Sequence, residues 1–310
     1  MESLKIMKRK RLTREKVRTR KFFLFISPWL IGLCVFSLAP MLLSLVLSFT
    51  WGTRITTWTS QDLQFSFKNY EYIFTKDDIF LRSISNTFIY AFLRVIVGLF
   101  LATLLALLYN NDLKGKKLYR TMAYAPSLIP VAAASSIWIL LLKGDSSLIQ
   151  RLLAEMGILG FDLFSKNTAL LTVVSLDIFC SVGSTMIVIL AALQGVPREL
   201  EEAAEIDGAT PWHRFWFITI PMISSGLMFS SVTGFIGALQ TYAKVQLLTG
   251  GDPEYSTITM TMTVLSRYNA INGTRALGYA CAEAWVIFSI IMIFTAIYLK
   301  LLDRKVYYGD

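Results

Sequence analysis

The apolar residues of this 310-residue chain gather into long runs. They are not spaced as in amphipathic helices or alternating strands. Six runs stand out, at about 22–50, 86–110, 118–142, 169–193, 221–248 and 277–302. About 20 residues cross ~30 Å of hydrocarbon at 1.5 Å per residue, so each run can form a transmembrane helix. The first run exceeds the ~7–15-residue core of a signal peptide, and no small-residue cleavage site follows it. Pro28 and Pro40 are expected to kink it. The pattern predicts an all-α integral membrane protein of six transmembrane helices, forming one membrane domain over 22–302. A basic tail (1–21) precedes the domain and a short tail (303–310) follows it. The segment 194–220, between the fourth and fifth runs, is too regular in sequence to be a mere connector.

Composition supports a bilayer solvent. The chain is 55% hydrophobic and 16% charged, with a mean hydropathy of +0.55, whereas soluble domains are roughly 25% charged. The net charge of +9 is uneven, because ten basic residues crowd the first twenty-one positions. A nucleic-acid site is one reading of such a cluster. A topogenic signal is the better one, since an apolar run begins at Phe22. With the N-terminus inside, nineteen Lys and Arg fall on the cytoplasmic side and nine outside, which places both termini in the cytoplasm. The stretches 51–85, 143–168 and 249–276 then face out, with Trp51, Trp58, Tyr70 and Tyr72 suited to the headgroup level. Cys34, Cys180 and Cys281 lie inside apolar runs without disulfide or metal spacing, and the lone His213 makes no metal site. Nothing in the sequence pairs a nucleophile with a base, which argues against a membrane enzyme.

The 195–221 segment reads GVPRELEEAAEIDGATPWHRFWFITIP. Pro197 suits the first turn of a helix, and Glu199, Glu201 and Glu202 place negative charge at the positive end of its dipole. Leu200, Ala203, Ala204 and Asp207 share one face, and the paired alanines leave room for another surface to approach closely. Gly208 can stop this helix in a left-handed turn. Thr210 can cap a second short helix that has Pro211 at its first position. An interfacial amphipathic pair is one reading. The acidic face favours a protein partner instead, because helices lying on lipid are usually basic.

This segment resembles the EAA loop of permeases in binding-protein-dependent ABC importers. That pattern is EAA, three residues, Gly, nine residues, then Ile, any residue, Leu, Pro. Here Glu202, Ala203 and Ala204 precede Gly208 by the right interval, and Ile218, Thr219, Ile220 and Pro221 follow nine residues later. Ile220 stands where Leu is usual. Further stretches, among them TMAYAPSLIP with Pro126 and Pro130 and LLTGGDPEYST with Gly250, Gly251 and Pro253, are similar to the sugar-permease branch of the maltose and glycerol-phosphate type. The likeness covers most of residues 20 to 302.

The resemblance implies a subunit of an ATP-driven importer in the bacterial cytoplasmic membrane that moves a saccharide, an oligosaccharide by preference, into the cell. Glu202, Ala203, Ala204, Gly208 and Pro221 would form the coupling loop. Its implied partners are two cytoplasmic ATPase subunits, a second permease, an extracytoplasmic sugar-binding protein and the lipid bilayer. ATP and Mg would sit on the ATPase, because the LKGKK stretch at 113–117 lacks the glycine and the preceding strand of a P-loop. A glycerol-phosphate or polyol permease is the alternative. An ion-gradient-driven carrier would explain in-span acids but not the EAA spacing.

Four charged residues fall within the runs: Arg94, Asp177, Lys244 and Glu283. Charge at the centre of a bilayer helix costs about 2.5–3.5 kcal/mol by insertion measurements, so each needs an account. Pairing Arg94 with Asp177 and Lys244 with Glu283 would neutralise them. Snorkelling would serve Lys244. A translocation cavity is the functional reading, with Ser181, Ser184, Gln240 and Tyr242 adding hydrogen bonds and Tyr242 or Trp285 a stacking face.

Overall fold

The computed structural model describes residues 2–51, 64–111, 114–144, 147–156, 162–269 and 276–303. The expected tail at 303–310, apart from its first residue, lies outside these, as do Trp58 and Arg275. Two units are distinguished: Met1–Asn69 with Asn272–Ala282, and Tyr70–Ile271 with Glu283–Asp310.

In the first unit, α1 (Glu2–Leu33) leads through a π-helical turn (Cys34–Leu38) into α2 (Ala39–Ser48). Pro28 lies inside α1, and the stretch Arg18–Ser48 is long and apolar enough to cross a membrane. The π turn ends two residues before Pro40, which cannot donate to the helix ladder, and the widened turn absorbs that missing bond. The one strand pair among the described residues, Thr50–Trp51 against Gln64–Phe65, follows it. Asn69 donates to the Ser48 and Thr50 carbonyls, each at 2.9 Å, and so ties the chain back to that ladder.

Beyond α3 (Lys68–Thr75), the second unit is built on α4 (Asp78–Asn110) and α8 (Ala169–Gln194), with α7 (Leu148–Glu155) and α14 (Met260–Asn269) as shorter helices. Asp77 caps α4 by accepting from the Phe80 amide at 2.9 Å. Ala102 and Ala106 of α4 meet Met186, Ile189, Leu190 and Leu193 of α8, together with Ile223, in a buried core. Small residues of this kind let membrane helices approach closely. Most large apolar side chains on the outward faces are exposed, for example Ile96, Phe100 and Phe229 at 60–62%. In a protein solvated by lipid these faces need no cover.

Two of the six runs are broken. The run at 118–142 is carried by α5 (Lys116–Tyr124), a 3₁₀ turn (Ala125–Leu128) and α6 (Val131–Leu142), bent by 95°. Pro130 excludes helical geometry at Ile129, which is extended (φ −74°, ψ 127°). The run at 221–248 starts earlier and ends earlier than its apolar character indicates. It enters through α10 (Pro211–Arg214), a π turn (Phe215–Thr219) and α11 (Ile220–Met222), then continues at 64° as α12 (Ser224–Leu239). The chain leaves the helix at Gln240–Tyr242, and α13 (Ala243–Leu248) is a separate short helix. The freed Thr241 carbonyl accepts from the Thr259 hydroxyl at 2.9 Å, so the break leaves no orphan there. Among the described residues, four helices are long and apolar enough to span a membrane, or six if each bent pair is one span. The last is carried by α15 (Ala276–Asp303).

Candidate functional site

Two sites take shape in the second unit, one at the 194–220 end of α8 and one within the spans.

The first begins with α9 (Arg198–Ile206), preceded by Pro197 at its N-cap. Glu199 and Glu201 lie in its first turn, where the backbone N–H groups have no helical acceptor. Its C-terminus is closed by a Schellman turn. The Ala209 amide donates to the Ala204 carbonyl at 2.9 Å, and the Gly208 amide donates to Glu205 at 3.0 Å. Gly208 has φ +80°, a conformation that a Cβ disfavours, although nothing lies within 4 Å of where that Cβ would stand. Thr210 caps α10 by accepting from His213 N at 3.3 Å, and Arg214 donates to Glu205 at 2.7 Å. The two short helices are therefore braced against each other.

Glu202 and Ala203 are exposed and Ala204 is half-buried, while the apolar Leu200 and Ile206 are 44% and 87% exposed. The exposed face of this helix thus combines acids, small residues and aliphatic side chains. Pro221 lies beyond the second π turn, on the path into α12. Arg214 joins the two helices, which the sequence reading did not find. No helical spacing links it to Glu205 nine residues earlier.

The second site centres on Asp177 of α8, which is 3% exposed. Its carboxylate accepts hydrogen bonds from the Tyr90 hydroxyl and the Lys244 ammonium, and Arg94 Nε forms an ion pair with it at 3.6 Å. Tyr90 in turn accepts from the Thr241 hydroxyl at 3.4 Å. Tyr90 and Arg94 lie four residues apart on α4, on one face. Gly234 of α12 makes room for the guanidinium, since a Cβ there would stand 2.7 Å from Arg94 Nη1. The break after α12 carries Lys244 back towards α8.

One acid thus receives both cations, and Lys244 reaches Asp177 instead of the Glu283 expected for it. Glu283 is fully buried on α15. Ser181 and Ser184 turn their hydroxyls onto backbone carbonyls of their own helix, at 2.7 and 2.8 Å. Gln240 is exposed at the end of α12 and Tyr242 half-buried at the start of α13. Trp285 packs edge-on against Phe288. Tyr90 was missed in the sequence, although its four-residue offset from Arg94 was a usable signal.

The 249–259 turn holds this arrangement from one end. Asn86 donates to the carbonyls of Tyr255 and Ile258 at 3.0 and 3.1 Å, and the Met260 amide donates to Thr87 at 3.0 Å. Lys166 bonds Glu254 at 2.6 Å and holds its carboxyl below the usual carboxylate range. That link is present above the ordinary carboxylate range and is lost as pH falls below it. An apolar cavity of about 430 Å³ is lined in part by Trp138, Leu142 and Leu171.

Residues 94–308 match the family described as "Binding-protein-dependent transport system inner membrane component". The chain belongs to that family. Among relatives of this inner membrane component, the "Probable ABC transporter permease protein YesP" of Bacillus subtilis (strain 168) is 33% identical, over 92% of this chain and 91% of its own length. The lactose transport system permease protein LacF of Rhizobium radiobacter is 32% identical, over 86% of this chain and 88% of its own. The sn-glycerol-3-phosphate transport system permease protein UgpA of Agrobacterium fabrum (strain C58 / ATCC 33970) is 30% identical, over 75% and 79%. A crystal structure of a bacterial ABC transporter that imports the acidic polysaccharide alginate contains a chain of the same fold. It superposes with a TM-score of 0.79 at 22% identity, covering 95% of this chain and 99% of the other.

Proposed function

We propose that this inner membrane component is the permease subunit of an ATP-driven ABC importer that carries a saccharide, preferably an oligosaccharide, into the cell. The observation that carries the reading is α9: an exposed acidic helix, closed by Gly208 and braced by Arg214 to the entry of a span, in a chain of this family. Both termini and α9 then face the cytoplasm, as the distribution of basic residues supports.

In this reading α9 docks on a separate ATPase. Glu202 pairs with a basic residue there, and Ala203 and Ala204 allow close packing. Gly208 supplies the turn, and Pro221 lies where the motion enters the span. ATP and Mg are bound and hydrolysed on that partner. Two such ATPases, a second permease, which we take to be a different chain, and an extracytoplasmic binding protein complete the assembly in the bacterial cytoplasmic membrane. The solute path runs past Asp177, with Arg94, Ser181, Gln240, Tyr242 and Lys244 as its candidate lining; Glu283, also a candidate from the sequence, is fully buried.

The relatives favour a saccharide or a glycerol phosphate, since LacF and UgpA are named for lactose and for sn-glycerol-3-phosphate. An ion-gradient-driven carrier would leave the acidic docking helix without a purpose. The test is transport in membrane vesicles with Glu202→Lys and Gly208→Pro. Each is expected to abolish uptake while the chain stays in the membrane. Uptake at the normal rate in both would overturn the coupling role.

A further inference from the structure

Asp177 is closed off from its surroundings, while its cations are partly exposed. The carboxylate is buried and takes hydrogen bonds from two donors. Arg94 makes its 3.6 Å ion pair but no hydrogen bond to any described residue, and its buried Nε–H has no acceptor. The side chains of Arg94 and Lys244 are 18% and 23% exposed, against 4% for Asp177. Glu283 is fully buried and so presents no carboxylate oxygen to the accessible surface. What the cluster offers to its surroundings is therefore cationic.

An ammonium and a guanidinium turned towards lipid would be costly, so these edges face a wet or partner-lined space. A neutral sugar fits them poorly. Its hydroxyls are weak acceptors for charged donors, and the acid that could accept from them is already committed. A carboxylate or phosphate matches the planar donors of Arg and the point charge of Lys.

The geometry points to an anion subsite: Arg94 and Lys244 receive the carboxylate or phosphate ester of a hydroxyl-rich solute, with Asp177 as the resident counter-ion that keeps both cations in place. The exposed Gln240 and half-buried Tyr242, which shortly precede Lys244 in the chain, supply neutral hydrogen bonds and an aromatic face beside the charge. This inference rests on the importer reading above and narrows its substrate.

The test uses the full complex in proteoliposomes, with its binding protein. Uptake is compared for uronic-acid di- to tetrasaccharides, their methyl esters, neutral disaccharides and glycerol 3-phosphate. Affinity of the binding protein for each is measured separately, so that delivery is not mistaken for passage. The anionic solute is expected to be preferred over its neutral counterpart by at least tenfold. Lys244→Gln and Arg94→Gln should each erode that ratio severalfold, and Lys244→Arg should restore it. Abundance in the membrane and ATPase stimulation by the loaded binding protein report folding. Uptake confined to neutral sugars, or a ratio unmoved by both Gln variants, overturns the subsite and leaves the saccharide importer standing. Uptake of glycerol 3-phosphate alone supports the subsite and overturns the saccharide. Uptake of none of these solutes overturns both.

Discussion

Gly208 and Asp177 show how a single position can set a local outcome. At Gly208 the left-handed backbone closes α9, and a Cβ there costs about 1–2 kcal/mol. Gly208→Val is therefore expected to fray the end of α9 and reduce uptake severalfold without loss of membrane insertion. Cysteine cross-linking from Ala203 to the copurified ATPase would read the fraying as lost yield. At Asp177 the effect is electrostatic. Removing one partner of a buried charge pair typically costs 3–5 kcal/mol. Asp177→Asn leaves two cations facing each other, so a marked fall in melting temperature in detergent is expected, with partial recovery in Asp177→Asn/Lys244→Met. The turn glycine was legible because backbone chirality acts locally. The charged residues were legible as a set, because charge in an apolar run is conspicuous. Their pairing was not, since it depends on where the chain breaks after Leu239 and returns Lys244 to α8.

At the level of elements, hydropathy located the runs but not their bends. Apolar residues look alike on both sides of Ile129, and the 95° elbow follows from the backbone restriction that Pro130 imposes. The elbow is locked by Gly183 of α8, where a Cβ would stand 2.2 Å from the Ala123 carbonyl. Gly183→Ala should cost about 1–3 kcal/mol through forced separation of α8 from that elbow, measured as a lower melting temperature. The break after α12, at Gln240–Tyr242, itself contains no Pro or Gly. Its support comes from Thr259, at the end of a turn that Asn86 of α4 holds from some 170 positions away along the chain. Asn86→Ala would leave two backbone carbonyls without their donor. Faster amide exchange across 249–259 is the expected readout, with α8 unchanged.

For the whole molecule, the apolar runs and their outward faces were readable from the hydropathy pattern, because lipid imposes a single demand on every exposed side chain. The sidedness proposed here rests on basic residues concentrated near one end. A cysteine placed at Glu205 should react with a membrane-impermeant maleimide only in inverted vesicles. One placed at Asp252 should react only in right-side-out cells. The opposite pattern would put α9 beyond the reach of any cytosolic motor.

The two π turns alter how this protein should be read. Each inserts one surplus residue ahead of a proline, at Cys34–Leu38 before Pro40 and at Phe215–Thr219 before Pro221. One extra residue rotates everything downstream by about 100°. A helical wheel drawn straight through either stretch therefore assigns the wrong flank to every later side chain. A cysteine scan from Trp212 to Phe229 should show its reactivity stripe step sideways once, at the turn, and then resume its normal period.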